Sequence, residues 1–324
     1  MKVRGIQMNV KRYGLAALIV AASAGQAMAA DLPVKAPPPP PEAPFFFVND
    51  NSLSYHYEFV ASNPGAGYTP KDVVSFTHFD VWAYGTNFLN VDLLQATNGK
   101  TTPASPCGFP IGDVGCQGYS EIYGFFRSTF GWNQIFNTKA FSMGPLTNIE
   151  FVVGADANTD NTTLASAKRS IQGGIQFDFA MPYKGFLNAS INAYHEWQND
   201  GIEQFLGINP SGRVDFDTTW AVEALYVQPL GFLPPSIPLT FKSLLVIHGP
   251  KGAGEVGAAK RTTEYLTQQT LALDLGQVIW SKPGKLSTWV AYRWWDNKFG
   301  IDPVASGLLF TNESTWLTGV TWTF

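Results

Sequence analysis

Beyond Ala24 the chain has no apolar run of 18 residues, which excludes a membrane-spanning helix, since crossing the hydrocarbon takes about 20 such residues. Charge is also scarce: Asp, Glu, Lys and Arg make up 14% of the 324 residues, against about 25% in soluble domains. Basic residues are outnumbered by acidic ones, 21 to 25, so no nucleic-acid partner is expected, because phosphate neutralisation requires clustered Lys and Arg. There are two cysteines, Cys107 and Cys116, set in a stretch rich in Gly and Pro with no His or further Cys beside them. That excludes an ordinary metal site, and no cofactor is expected. What the chain does have is aromatic rings, 14% of its residues.

The N-terminus reads as an export signal. Lys2, Arg4, Lys11 and Arg12 precede an apolar run from Leu15 to Ala24, and Ala27-Met28-Ala29 offers small residues for cleavage after Ala29. Residues 30–50 form a Pro-rich tail in which Pro37 to Pro41 are consecutive. Such a tract favours the extended polyproline conformation and cannot join a central strand, so it is expected to be a periplasmic tether. Without residues 1–29 the chain keeps 17 basic against 25 acidic residues, a net charge of −8. Export places Cys107 and Cys116 in an oxidising space, where a disulfide between them would contribute about 2–3 kcal/mol by loop-closure entropy.

From Asn51 onward side chains alternate in polarity with a period of two, as a strand with two unlike faces requires. Ile171, Gly173, Ile175, Phe177 and Phe179 alternate with Gln172, Gln176 and Asp178. The same test along the body gives twelve strands, at 52–60, 71–83, 87–95, 120–131, 147–156, 169–180, 185–198, 213–228, 237–248, 262–275, 285–296 and 312–324. Most have the length of a tilted membrane strand. Connections at 61–70, 96–119, 157–168, 199–212, 249–261 and 297–311 are mostly longer than the turns between them, which suits long loops outside and short turns inside. The expected fold is all-β, a transmembrane antiparallel β-barrel over residues 51–324 with about 12 strands and both termini periplasmic. A soluble β-sandwich would alternate too, but it explains neither the loop asymmetry nor the aromatic content.

The polar face of those strands would line a lumen. Parity places Glu58, Asp80, Asp92, Glu121, Glu150, Asp178, Glu196, Asp215, Asp217, Glu223 and Asp274 there, with Arg127 and Arg293 as the cations. Carboxylates are not buried dry without partners, so such a lumen is expected to hold water and to disfavour anions. Tyr123, Phe125, Tyr194, Trp289 and Trp295 share that face, and rings beside carboxylates suit a flat, neutral, polar-edged solute. The candidate solute-binding residues are Tyr123, Phe125, Arg127, Tyr194, Glu196, Asp215, Asp217, Arg293 and Trp295.

Several tracts resemble the Tsx-type nucleoside-specific channels of the outer membrane across most of residues 50–324. They are Ser54-Tyr55-His56, Glu121-Ile122, Phe141-Ser142-Met143-Gly144-Pro145, Trp197-Gln198-Asn199 and Ala291-Tyr292-Arg293-Trp294-Trp295-Asp296. The resemblance implies a monomeric twelve-stranded barrel in the outer membrane of a Gram-negative bacterium. It also implies a narrow pore that takes nucleosides through aromatic and ionisable lumen residues. The Pro-rich tail and the cysteine pair depart from that pattern. A general or sugar-preferring diffusion porin is the alternative. The expected partners are outer-membrane lipid, a small neutral solute such as a nucleoside, and the barrel-assembly machinery, whose signal the alternating final strand ending at Phe324 resembles. An outer-membrane lipid hydrolase is the less favoured reading. His195 falls on the lipid-facing parity, but no serine stands out as its partner and no G-x-S-x-G elbow occurs, so the chain is expected not to be an enzyme.

Overall fold

The computed structural model describes residues 45–64, 67–96, 119–160, 167–199, 209–253, 260–307 and 309–324, with Gln204 and Gly207. The export signal, the Pro-rich tail up to Pro44 and the Cys107–Cys116 pair lie outside the described residues.

Alternating polarity becomes thirteen strands: β1 (Phe46–Asn63), β2 (Gly67–Trp82), β3 (Gly85–Ala96), β4 (Tyr119–Gly131), β5 (Leu146–Asp160), β6 (Arg169–Met181) and β7 (Gly185–Asn199) come first. After them come β8 (Arg213–Asp215), β9 (Thr219–Pro229), β10 (Leu239–His248), β11 (Glu264–Asp274), β12 (Leu286–Asp296) and β13 (Glu313–Thr323). Each pairs antiparallel with its sequence neighbour, except that β8 and β9 both pair with β7 and share one position. The barrel therefore has twelve positions. It closes where β13 meets β1, from Ser52 opposite Thr323 to Glu58 opposite Leu317. Closure leaves no unpaired sheet edge, which is what a sheet needs to stand in lipid.

Register sorts the side chains cleanly. Ile171 on β6 and Ile191 on β7 point outward and are 51% and 62% exposed. Their alternates Gln172 and Asn192 are buried on the inner face. Leu53, Tyr55, Phe76, Phe126, Val153, Val290, Trp316 and Val320 continue the exposed apolar wall. No described helix is long and apolar enough to cross a membrane. The connections at residues 83–84 and 182–184 are short, whereas those at 132–145, 230–238 and 275–285 are longer, and the first connection, 64–66, is shorter than the expected 61–70.

One expected strand is two. The reading of 213–228 as a single alternating run placed Val214 and Phe216 on the lipid face and Asp215 in the lumen. Instead the strand breaks at residues 216–218 and its parity slips. Val214 and Phe216 are buried, whereas Asp215 pairs with the outward-facing Trp197. The break has a visible cause. The backbone N–H of Phe216 donates to Glu196, while that of Asp217 donates to the carbonyl of Lys251, a residue of the β10–β11 connection. A loop thus takes the bond that a neighbouring strand would have taken.

Candidate functional site

Tyr123, Phe125 and Arg127 sit at successive inward positions of β4. The rings of Phe125 and Phe88 on β3 are 5.3 Å apart, and Tyr123 lies 5.9 Å from Phe125. Together they make an aromatic shelf on one wall, with the Arg127 guanidinium 5.6 Å from the Phe125 ring centre.

Arg127 does not stay on its own wall. Its side chain runs over Gly154 on β5, where even a Cβ would come within 2.6 Å of the Arg127 Cδ. It donates from Nη1 to Asp156 at 2.6 Å, and from Nε and Nη2 to both oxygens of Glu223 on β9 at 3.0 and 2.7 Å. A bidentate fork of this kind fixes direction as well as charge. The pair crosses the lumen and narrows it.

Toward the end carrying the long connections, the interior is filled by ion pairs. Glu196 receives Lys251 Nζ at 2.5 Å, the Tyr194 hydroxyl at 2.6 Å and Lys168 Nζ at 3.6 Å. Burial holds the Lys251 ammonium below the usual lysine range, against the attraction of Glu196 and Glu264. Glu264 accepts from Trp295 Nε1 at 2.7 Å and from the Phe299 backbone at 3.0 Å, and lies 3.1 Å from His248 Nδ1. Arg293 donates to Glu58 at 2.6 Å and stands 3.6 Å from Glu313, which Lys298 approaches to 2.7 Å. Lys71 is 3.8 Å from Glu121.

These pairs correct the expected charge of the lumen. It is not an acidic tube with two arginines. Lys71 and Lys242 line it from the strands, and Lys168, Lys251 and Lys298 fold in from connections. Asp156, Glu264 and Glu313 are inward carboxylates that parity reading missed. Lys251 and Lys298 carry no strand alternation, so nothing local in the sequence announced them.

Three expected lumen acids are elsewhere. Asp215 is on the outer wall, where His195 Nε2 lies 3.0 Å from its carboxylate and His195 Nδ1 lies 3.1 Å from the Thr218 hydroxyl. His195 is thus outward, as its parity indicated, and its hydroxyl neighbour is a threonine. Asp217 falls in the break between β8 and β9, exposed, with its carboxylate against Gly252. Asp80 also faces outward, opposite Asn87, in a polar row that runs Asn51, His78, Asp80, Asn87, Ser128 through contacts of 2.7–3.1 Å.

Of the remaining candidates, Glu196, Arg293 and Trp295 are inward but committed to the ion-pair network. Tyr194 is inward but only 1% exposed. Its ring stacks on His248 at 4.2 Å, and Lys168 Nζ lies 5.8 Å from its centre. Among the candidates, Tyr123 and Phe125, with Phe88 beside them, leave ring surface to a solute, and Trp289 is also inward and half-buried.

No protein-family model matches the chain, and no curated protein matches it. Solved structures resemble it at very low identity. The KdgM porin in complex with disordered oligogalacturonate is 6% identical with a TM-score of 0.39, over 84% of this chain and 99% of that one. The COG4313 outer membrane channel from Pseudomonas putida F1 is 9% identical with a TM-score of 0.48, over 87% and 97%. The outer membrane protein opdK from Pseudomonas aeruginosa is 11% identical with a TM-score of 0.28, over 85% and 98%.

Proposed function

We propose that this barrel is a passive outer-membrane channel for small neutral polar solutes, with nucleosides preferred. A closed antiparallel barrel with an apolar outer wall and a polar, charged interior suits passage of water-soluble molecules through lipid. The observation that carries the reading is the Arg127–Glu223 crossing set beside the Phe88–Tyr123–Phe125 shelf. The crossing limits the bore while its two charges answer each other, and the shelf offers a flat ring something to lie against. Phosphate-bearing solutes meet inward carboxylates such as Asp92 and Asp178, which accept from the neutral amides of Asn90 and Gln176, along the same lumen. The resemblance to nucleoside-specific channels in the first, fourth, seventh and twelfth strands points the same way. Block of single-channel current by adenosine, AMP and a neutral disaccharide tests it. Adenosine should block at the lowest concentration; equal block by all three would make this a general diffusion pore.

A further inference from the structure

On the rim that carries the long connections, a groove of about 580 Å³ runs along β6, β7 and β8, and its lining includes Arg169, Trp197, Asn199, Ser211 and Arg213. It opens on the outer wall. Arg169 stands opposite Trp197 and Asn199 opposite Arg213, on the same parity as the outward Ile171 and Ile191. Arg169 is exposed, and the Arg213 side chain is 70% exposed. The other arginines among the described residues are used elsewhere. Arg127 and Arg293 hold carboxylates inside the lumen, and Arg261 lies 5.6 Å from the ring of the buried Phe216.

Two guanidinium groups lining one groove repel each other unless an anion joins them. Arg169 has no carboxylate partner among the described residues. Arg213 has one at the margin, Asp215 at 3.7 Å, and that carboxylate also faces His195 Nε2 at 3.0 Å. Positive charge is therefore in surplus. The height of the groove on the barrel selects the kind of anion. One outward step along β6 from Arg169 comes Ile171, 51% exposed, where the apolar wall begins. Trp197 and the outward Trp220 on β9 fit the belt in which indole rings sit at headgroup level. An arginine is tolerated on the lipid side at that depth and not at the midplane. Guanidinium also matches phosphate oxygens two at a time. We propose that Arg169 and Arg213 dock a phosphate monoester on the sugar headgroup of an outer-leaflet glycolipid, with Asn199 as a neutral donor and the Trp197 ring against the sugar. The proposal needs the long connections to face outward, and it is independent of which solute the barrel passes.

The test is native mass spectrometry of the folded barrel in detergent micelles, titrated with diphosphorylated lipid A and with its phosphate-free counterpart. The phosphorylated form should reach half-occupancy at a concentration lower by roughly tenfold or more, the scale set by two arginines at a lipid surface. Arg169→Gln combined with Arg213→Gln should bring that ratio toward one. Lys139→Gln combined with Lys184→Gln removes the same charge from exposed positions in the connections at the opposite rim, and should leave the ratio unchanged. Equal binding of the two glycolipids by the unaltered protein overturns the inference, and that comparison needs no variant. A ratio that survives the arginine substitutions, or falls as far with the lysine ones, overturns it as well. Cardiolipin bound as tightly as phosphorylated lipid A would make the groove a general site for anionic lipid and overturn the assignment to a glycolipid. Current in planar bilayers is a separate readout, so a barrel that conducts nothing would bring down the channel reading and leave this inference standing.

Discussion

Arg127 on β4 donates to both carboxylate oxygens of Glu223 on β9, joining two walls that stand four ladder steps apart around the barrel. Gly154 makes the crossing possible, because any side chain there would occupy the path of the Arg127 methylenes. The lumen is thereby divided at mid-height by a charged bar rather than by a loop.

Removing that bar should widen the bore. Glu223→Ala is expected to raise single-channel conductance, since Arg127 keeps Asp156 and can fold back to its own side. The loss of two hydrogen bonds to a charged group should cost about 1.5–3 kcal/mol of stability, allowing for the partial exposure of the pair. Conductance in planar bilayers and the temperature of the folded-to-unfolded gel shift measure the two effects. Unchanged conductance would mean that the crossing does not set the bore.

Lys251 and Glu196 are both almost fully buried, so they should behave as a pair and not as two independent charges. Lys251→Met leaves Glu196 with Lys168 alone at 3.6 Å, and the expected destabilisation is on the order of 3–5 kcal/mol. Combining it with Glu196→Gln should recover part of that loss, because the neutral amide keeps a hydrogen-bond partner for Tyr194. Urea unfolding of both variants checks the coupling; strictly additive effects would contradict it.

The shelf and the buried tyrosine make opposite predictions. Phe125→Ala should weaken block by adenosine by a factor corresponding to about 1–3 kcal/mol, the usual worth of stacking one base on an aromatic ring. Tyr194→Ala should weaken it far less, since His248 and Lys168 already flank that ring. Titration of current block in both variants decides between them. A larger effect at Tyr194 would place the solute higher in the lumen.

The last strand is expected to govern assembly and not conductance. Phe324 continues the ladder beyond β13 by donating its N–H to Asn51, and its ring packs on Trp322 at 5.6 Å. Its deletion should lower the amount of barrel in the membrane while the surviving channels conduct normally. Normal amounts with altered conductance would be the contrary result. An epitope inserted near Thr101, in the connection between β3 and β4, should be reachable on intact cells if the long connections face outward.

Most of the barrel was legible along the chain because strand alternation is a local signal. Ile171 against Gln172 and Ile191 against Asn192 declare two faces without any knowledge of what stands across from them. The eleven expected strands other than 213–228 lie where alternation placed them, and β1 begins earlier, at Phe46. What alternation cannot carry is a phase slip. A three-residue break after Asp215 put that carboxylate on the outer wall and Val214 inside, and the break exists because the Lys251 carbonyl takes a backbone N–H from a distant connection. The charge of the lumen was hidden for the same reason. Lys251 and Lys298 lie in irregular segments, so only the closed fold brings their ammonium groups to Glu196 and Glu313. Burying those carboxylates is favourable only with such partners, and a partner chosen across the barrel leaves no periodic trace in the chain.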